Sequence, residues 1–323
     1  MELKLEPGSR LVIAIDLGGT KTRVRLVQLA PEPDVRPRYW IETTFPTEQS
    51  YAEQIRHVSG WVAGHVGVAE RLRLGHMPSG ALLSAKEWTG GLITGIGVSL
   101  GGRIAADGAS VSVAPNLRDY EGRPLIEDLS ARCGGLPVHL AHDAVCGLLA
   151  ERRYGALVGA QRCAYLTLST GTGCALHLEA PAGAGVTLSI ELGHQLLDHN
   201  ERVCLCGQVG CLETYTGGRQ LALRYGQPIE TLDEADSSEM WREFAEKLSI
   251  GLVNLAHLTR VERIAIGGAI ALHRPSLLAA LRLAVAERLR NARLELVAAA
   301  LGESAPLIGA ATLLTTPASE LLH

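Results

Sequence analysis

Aromatic side chains are scarce in this chain of 323 residues: they form 4% of it, and only two are phenylalanine. Base-stacking platforms are built from such rings, so none is expected. Surplus positive charge is also missing. Lys and Arg number 30 against 34 Asp and Glu, a formal net charge of −4. A nucleic-acid surface needs clustered excess cations to displace counterions, so no nucleic-acid partner is expected. No apolar run reaches about eighteen residues, the length that marks a membrane span, so no membrane partner is expected either. The opening residues, MELKLEPGSR, lack the apolar stretch of a secretory leader, and a cytoplasmic protein is expected. The seven cysteines are odd in number. Cys133, Cys146, Cys163 and Cys174 are scattered through apolar segments and read as buried thiols. Cys204, Cys206 and Cys211 are crowded together, a poor disulfide framework and a plausible metal cluster.

What is present points to an α/β protein. The apolar fraction is 47% and the charged fraction 20%, proportions of a globular chain long enough for two domains. Several of the 36 glycines sit in pairs after β-branched runs: Gly18-Gly19, Gly101-Gly102 and Gly267-Gly268. Strands ending in glycine pairs are the pattern of α/β folds whose strand ends meet a ligand. Leu11–Asp16 and Thr22–Leu29 read as a hairpin, and Arg38–Thr44 as a third strand. A helix follows from Thr47, with Thr47 or Ser50 as its cap. Residues 70–91 read as a surface excursion. Leu92–Leu100 and Val138–Ala141 read as strands, and Ala144–Tyr154 as a helix. Trp241, Phe244, Leu248, Leu252, Leu255 and Leu258 lie on one face of a long core helix, and Ser276–Arg293 reads as another helix. A strand–glycine turn–strand unit near residue 16 recurs near residue 171.

Five motifs carry chemistry. In IAIDLGGTKT, Asp16 closes a strand, Gly18 and Gly19 let backbone N–H groups approach a phosphate, and Thr20 and Lys21 add a hydroxyl and a cation. Asp16 could hold Mg²⁺ through water. In LTLSTGTGCAL, Thr170, Gly171, Thr172 and Gly173 repeat that chemistry, so two turns could serve one polyphosphate. In AHDA, Asp143 ends a strand and opens a helix. It reads either as a helix cap or as a general base toward a hydroxyl. ELGH (Glu191–His194) followed by CLCGQVGCLE (Cys204–Glu213) supplies one imidazole and three thiols, which saturate a tetrahedral Zn²⁺. Such a site is structural. His199 is a rival imidazole, but His194 suits a double role, one ring nitrogen on metal and the other toward a hydroxyl. In IAIGGAI, Gly267-Gly268 could cover an adenine or ribose, or could simply pack a helix on a strand.

These motifs, in this order, resemble the ROK family of repressors, open reading frames and kinases. The resemblance implies two actin-like (ribonuclease H-like) α/β domains with an interdomain cleft. The expected division is residues 1–141 plus 309–323, and 142–308 with the zinc site. It implies ATP, Mg²⁺ and structural Zn²⁺, a sugar hydroxyl as phosphoryl acceptor, and a homodimer or homotetramer. By the same resemblance Asp143 is the catalytic base, and Glu191, His194 and Glu213 contact sugar hydroxyls. His194, Cys204, Cys206 and Cys211 bind zinc. Asp16, Gly18, Gly19, Thr20 and Lys21 form one phosphate loop and Thr170–Gly173 the other. Gly102 and Asn116 lie in loops that close on the sugar. His142 stands where the family usually has Asn, and the loop GVSLGGR lacks the family's proline.

The expected function is an ATP-dependent kinase of a hexose or N-acetylhexosamine, glucokinase-like first. The alternative is a sugar sensor or pseudokinase with little turnover. A zinc hydrolase is disfavoured because four ligands leave no open position. A Rossmann dehydrogenase is disfavoured because GxGxxG is absent after the first strand. A DNA-binding repressor is disfavoured because about ten residues precede that strand.

Overall fold

The computed structural model describes residues 8–32, 34–74, 93–179, 185–197, 201–231 and 238–322. They divide into two compact units: Met1–Cys146 with Pro306–Thr316 and His323, and Gly147–Ala305 with Pro317–Leu322. His142 and Asp143 fall in the first unit because the helix that Asp143 opens follows directly on the last strand of that unit's sheet.

The first unit is built on β1 (Arg10–Leu17), β2 (Lys21–Leu29), β3 (Arg38–Pro46) and β4 (Ile93–Leu100). A small ribbon, β5 (Arg103–Ile104) with β6 (Val111–Val113), precedes β7 (Val138–His142). The large sheet has the order β3-β2-β1-β4-β7. β1 is antiparallel to β2 and parallel to β4, and β4 is parallel to β7. Its central strand, RLVIAIDL, is buried almost throughout, as a near-continuous apolar run demands. α1 (Tyr51–Leu74), α2 (Leu125–Arg132) and α3 (Asp143–Tyr154) complete the sequence up to the second sheet. α1 begins directly after Ser50, the second of the two expected caps, whose carbonyl accepts the Gln54 N–H, while Thr47 is turned inward to a polar network. Of the excursion expected at 70–91, residues 70–74 instead continue α1, whose helical turns run on to Leu74, and residues 75–91 lie outside the described residues.

The second unit repeats the plan with β8 (Arg162–Leu168), β9 (Thr172–Glu179), β10 (Gly185–Ile190), β11 (Arg263–Gly267) and β12 (Glu295–Ala298). The order is β12-β11-β8-β9-β10-β13, where β13 (Leu321–Leu322) adds an edge. Without β13 this is the order of the first sheet, and the directions match: β8 is antiparallel to β9 and parallel to β11. The duplication visible in the glycine turns is therefore a duplication of the sheet. Short α4 (Glu213–Thr216) and α5 (Gly218–Tyr225) precede the long α6 (Ser238–Thr259). α7 (Ala269–His273), α8 (Pro275–Arg288) and α9 (Ala305–Thr312) follow. α8 stops before the predicted Arg293 because the chain turns there, with Asn291 at φ 57°. α6 buries Phe244, Leu248, Leu252 and Leu255 as its spacing predicts, but Leu258 is 84% exposed at the helix's last turn.

α9 returns to the first unit and lies very close to β4. A Cβ at Gly97 would sit 1.7 Å from the Ala310 carbonyl oxygen, a backbone atom that cannot swing aside. Gly97→Ala is expected to cost about 3 kcal/mol, the upper range for overpacking, and to be seen as a lowered urea midpoint.

Candidate active site

Hairpin register decides what surrounds the first glycine turn. Asp16 lies directly across from Arg23. Arg23 donates to Asp16 Oδ2 from Nε (3.2 Å) and Nη2 (2.7 Å), and the Ser99 hydroxyl on β4 donates to Oδ1 (3.1 Å). A carboxylate offers about four lone-pair positions, so about one remains open on Asp16. The turn is braced from beneath. The Gly18 N–H donates to the Lys21 carbonyl (3.1 Å), and Thr47 donates from its N–H to Thr20 O (3.0 Å) and from its hydroxyl to Gly18 O (2.8 Å). Thr22 and Thr47 share a hydroxyl contact of 2.8 Å, and Gln54 donates to Thr22 (2.8 Å). Asn116 packs against Gly19, where a Cβ would come within 2.7 Å of its own. Gly102 likewise leaves room for the Val113 carbonyl, 2.8 Å from its would-be Cβ.

Asp143 arrives at the same edge. Leu17 of β1 is in register with Leu100 of β4, and Leu100 with His142 of β7, so the three strand ends carry Asp16, Ser99 and Asp143 together. The backbone N–H of Ala144 donates to His142 Nδ1 (3.2 Å). That nitrogen therefore has no proton to offer Asp143 Oδ1, which lies 3.1 Å from it. Oδ1 is buried without a hydrogen-bond partner among the described residues, although the whole side chain is 32% exposed. Burial pushes the Asp143 carboxyl above the ordinary range. A charged His142 would oppose the rise, and the nearby Asp16 adds to it.

In the second unit the turn Ser169–Gly171 is tied down by α4 and α5. Glu213 Oε2 accepts the Thr172 N–H (2.8 Å), and the Thr172 and Thr216 hydroxyls lie 2.7 Å apart. Gly218 and Arg219 donate backbone N–H groups to Ser169 O and Thr170 O, both at 2.9 Å. A hydroxyl pair thus underlies each glycine turn, Thr22 with Thr47 and Thr172 with Thr216. Glu213 spends one oxygen on bracing the second turn. Gly173 continues into β9. Gly267 and Gly268 are close-packing positions: a Cβ would lie 2.6 Å from the Tyr165 hydroxyl at Gly267 and 2.3 Å from Leu168 O at Gly268.

The metal-ligand candidates do converge. One donor atom each from His194, Cys204, Cys206 and Cys211 falls within 4.8 Å of every other. Cys206 Sγ and Cys211 Sγ are 3.8 Å apart, and Cys204 Sγ is 3.7 Å from His194 Nδ1. A tetrahedral centre with metal–sulfur bonds of about 2.3 Å has ligand edges of about 3.8 Å. The local fold is a tight knuckle with a bridge between Val203 and Val209. Gly207 and Gly210 take φ of 93° and 84° there, conformations open to glycine. Burial, chiefly, pushes the Cys204 thiol up to about 12. Gln208 and Gln220 donate side-chain N–H groups to Cys211 Sγ (3.2 Å) and Cys204 Sγ (3.4 Å). His194 Nε2 is turned away from the thiols, 3.8 Å from Glu191 Oε2. His199 lies outside the described residues.

Sequence reasoning missed Arg23, Ser99, Thr47, Gln54, Gln208 and Gln220. Arg23 had a signal: a hairpin turning at Gly18-Gly19 places it across from Asp16.

Two such sheets, each with a glycine turn between its first antiparallel strands, define the two-domain actin-like α/β fold of sugar kinases. The glucokinase of Streptomyces griseus, solved with glucose and AMPPNP, superposes with a TM-score of 0.69 at 24% identity, over 94% of this chain and 98% of that one. The ROK family model matches residues 80–316, and the chain belongs to that family. Relatives divide in function. The glucokinase of Streptomyces coelicolor is 24% identical over 95% of this chain and 98% of its own length. A putative xylose repressor of Caldicellulosiruptor sp. is 28% identical over 54% of this chain, which spans only 50% of that relative's length. Among the described residues no helix is long and apolar enough to cross a membrane.

Proposed function

We propose that this protein is an ATP-dependent sugar kinase acting on a hydroxyl of a hexose or N-acetylhexosamine, glucokinase-like in chemistry. The observation that carries the reading is Asp143: a strand-end carboxylate with raised proton affinity and a buried, unpartnered oxygen, beside the first glycine turn. Such a group suits a general base. Asp143 accepts the proton of the sugar hydroxyl as that oxygen bonds to the γ-phosphorus and the bond to the departing diphosphate breaks. The turns at Gly18–Lys21 and Thr170–Gly173 present N–H groups to phosphate oxygens. Lys21 adds positive charge.

The donor set at His194, Cys204, Cys206 and Cys211 suits Zn²⁺ in softness, number and spacing. His194 would bind through Nδ1, leaving Nε2 and Glu191 for sugar hydroxyls; Glu213 retains Oε1 for the same purpose. When bound, zinc supplies rigidity and no open position. Mg²⁺ fits beside Asp16 only through water, since Arg23 and Ser99 occupy most of its lone pairs.

A second reading, a sugar-binding sensor with little turnover, draws on the same Arg23–Asp16 pair, on His142, and on the repressor relatives. ADP release measured over a panel of sugars with Mg-ATP decides between them, alongside calorimetry of sugar binding. Sugar-dependent ADP supports the kinase; binding without turnover supports the sensor. For the kinase, the acid limb of kcat is expected above the ordinary carboxylate range, because Asp143 must lose its proton to act and its affinity for that proton is raised.

A further inference from the structure

The loops that enter the second unit's sheet line an open cleft of about 1170 Å³, at the opposite ends of β8 and β11 from the turns that follow them. Small-molecule clefts run to about 300–1,000 Å³, so a metabolite fits with room for water. Four arginines line it: Arg162, Arg260, Arg263 and Arg293. Only Glu262 and Glu295 oppose them, which leaves a local surplus of positive charge on a chain whose net charge is −4. Arg263 is paired with Glu295 at 2.7 Å. Arg162 donates to the Thr259 and Arg260 carbonyls, closing the end of α6 without a carboxylate. Arg260 and Arg293 are exposed, and among the described residues their side chains have neither ion pair nor hydrogen bond.

The backbone adds an independent observation. Arg260 takes φ 57° directly after α6, the position where helices ordinarily place glycine. Asn291, on the facing loop, also has φ 57°. Glu201 is the one other described non-glycine residue with positive φ. This left-handed turn brings Arg260 to the lip of the cleft. The planar guanidinium fork matches the oxygens of a phosphate better than any neutral group.

We propose that this cleft binds a phosphorylated small molecule through Arg260 and Arg293, at a site separate from both glycine turns. The proposal stands whether or not the chain is a kinase. Calorimetry on the full chain with pyrophosphate and with glucose 6-phosphate tests it, glucose serving as the uncharged control. At least one phosphate probe is expected to bind at millimolar concentration or below. R260A/R293A should weaken it by about tenfold or more, as expected for losing two charge-assisted contacts. Preference for glucose 6-phosphate would mark a sugar ester as the ligand, and preference for pyrophosphate a polyphosphate tail. Lys21→Ala, in the first glycine turn, should leave this binding in place, and R260K/R293K should restore part of it. The proposal is overturned if neither probe binds, if R260A/R293A binds as wild type does, or if Lys21→Ala abolishes all binding.

Discussion

Asp143→Asn is expected to lower kcat by about 10²–10⁴, the usual worth of a positioned general base, while raising the melting temperature near neutral pH. The two effects share one cause. Burial gives the folded carboxyl a higher proton affinity than the unfolded one. Between the ordinary carboxylate value and the raised one, the native state holds more protons than the unfolded state. Stability therefore falls as pH rises through that window and stays lower above it. Asparagine keeps the shape and carries no charge, so it escapes that cost. Steady-state ADP release and a thermal melt on the same sample check both halves. Near-normal sugar-dependent turnover by the variant would remove Asp143 from the base role.

Cys206→Ser is expected to have the second-largest effect. Cys206 is the exposed member of the four-donor cluster, so serine is tolerated sterically. Losing one of four donors should reduce zinc affinity by more than about 100-fold, the upper end for losing a mere outer-shell partner. Metal analysis of protein purified without chelators should show about one zinc per chain in wild type and almost none in the variant. Sugar KM should rise more than kcat falls, because His194 loses its anchor while Asp143, in the other unit, is untouched. Wild-type protein free of zinc would sink the assignment.

Much of this was readable before any coordinates. IAIDL and LITGIGVSL announce buried parallel strands because both faces are covered, and such strands must be apolar throughout. CLCGQVGC announces a tight knuckle in which three thiols converge, because the turn glycines fold so short a spacing back on itself. What stayed hidden depends on pairing across long sequence distances. Ser99 reaches Asp16 only because β4 lies beside β1, and Gln54 reaches Thr22 from a helix. β12 is short and β10 begins in a glycine-rich stretch, so neither shows enough alternation to stand out. Leu258 obeyed the helical period and is still exposed, since periodicity cannot tell where a neighbour stops covering the face.

The return of α9 to β4 has a consequence for biogenesis. Residues 306–316 belong to the first unit, and Gly97 and Gly309 have no side chain so that backbone can meet backbone there: a Cβ at Gly309 would lie 1.8 Å from the Cys146 carbonyl oxygen. On a translating ribosome the first half therefore waits for its last piece until the second half has almost wholly emerged. The second half in turn gains its edge strand β13 only from residues 317–322, so both halves are completed at the very end of synthesis, and until then the uncovered strands of the first depend on chaperones or speed.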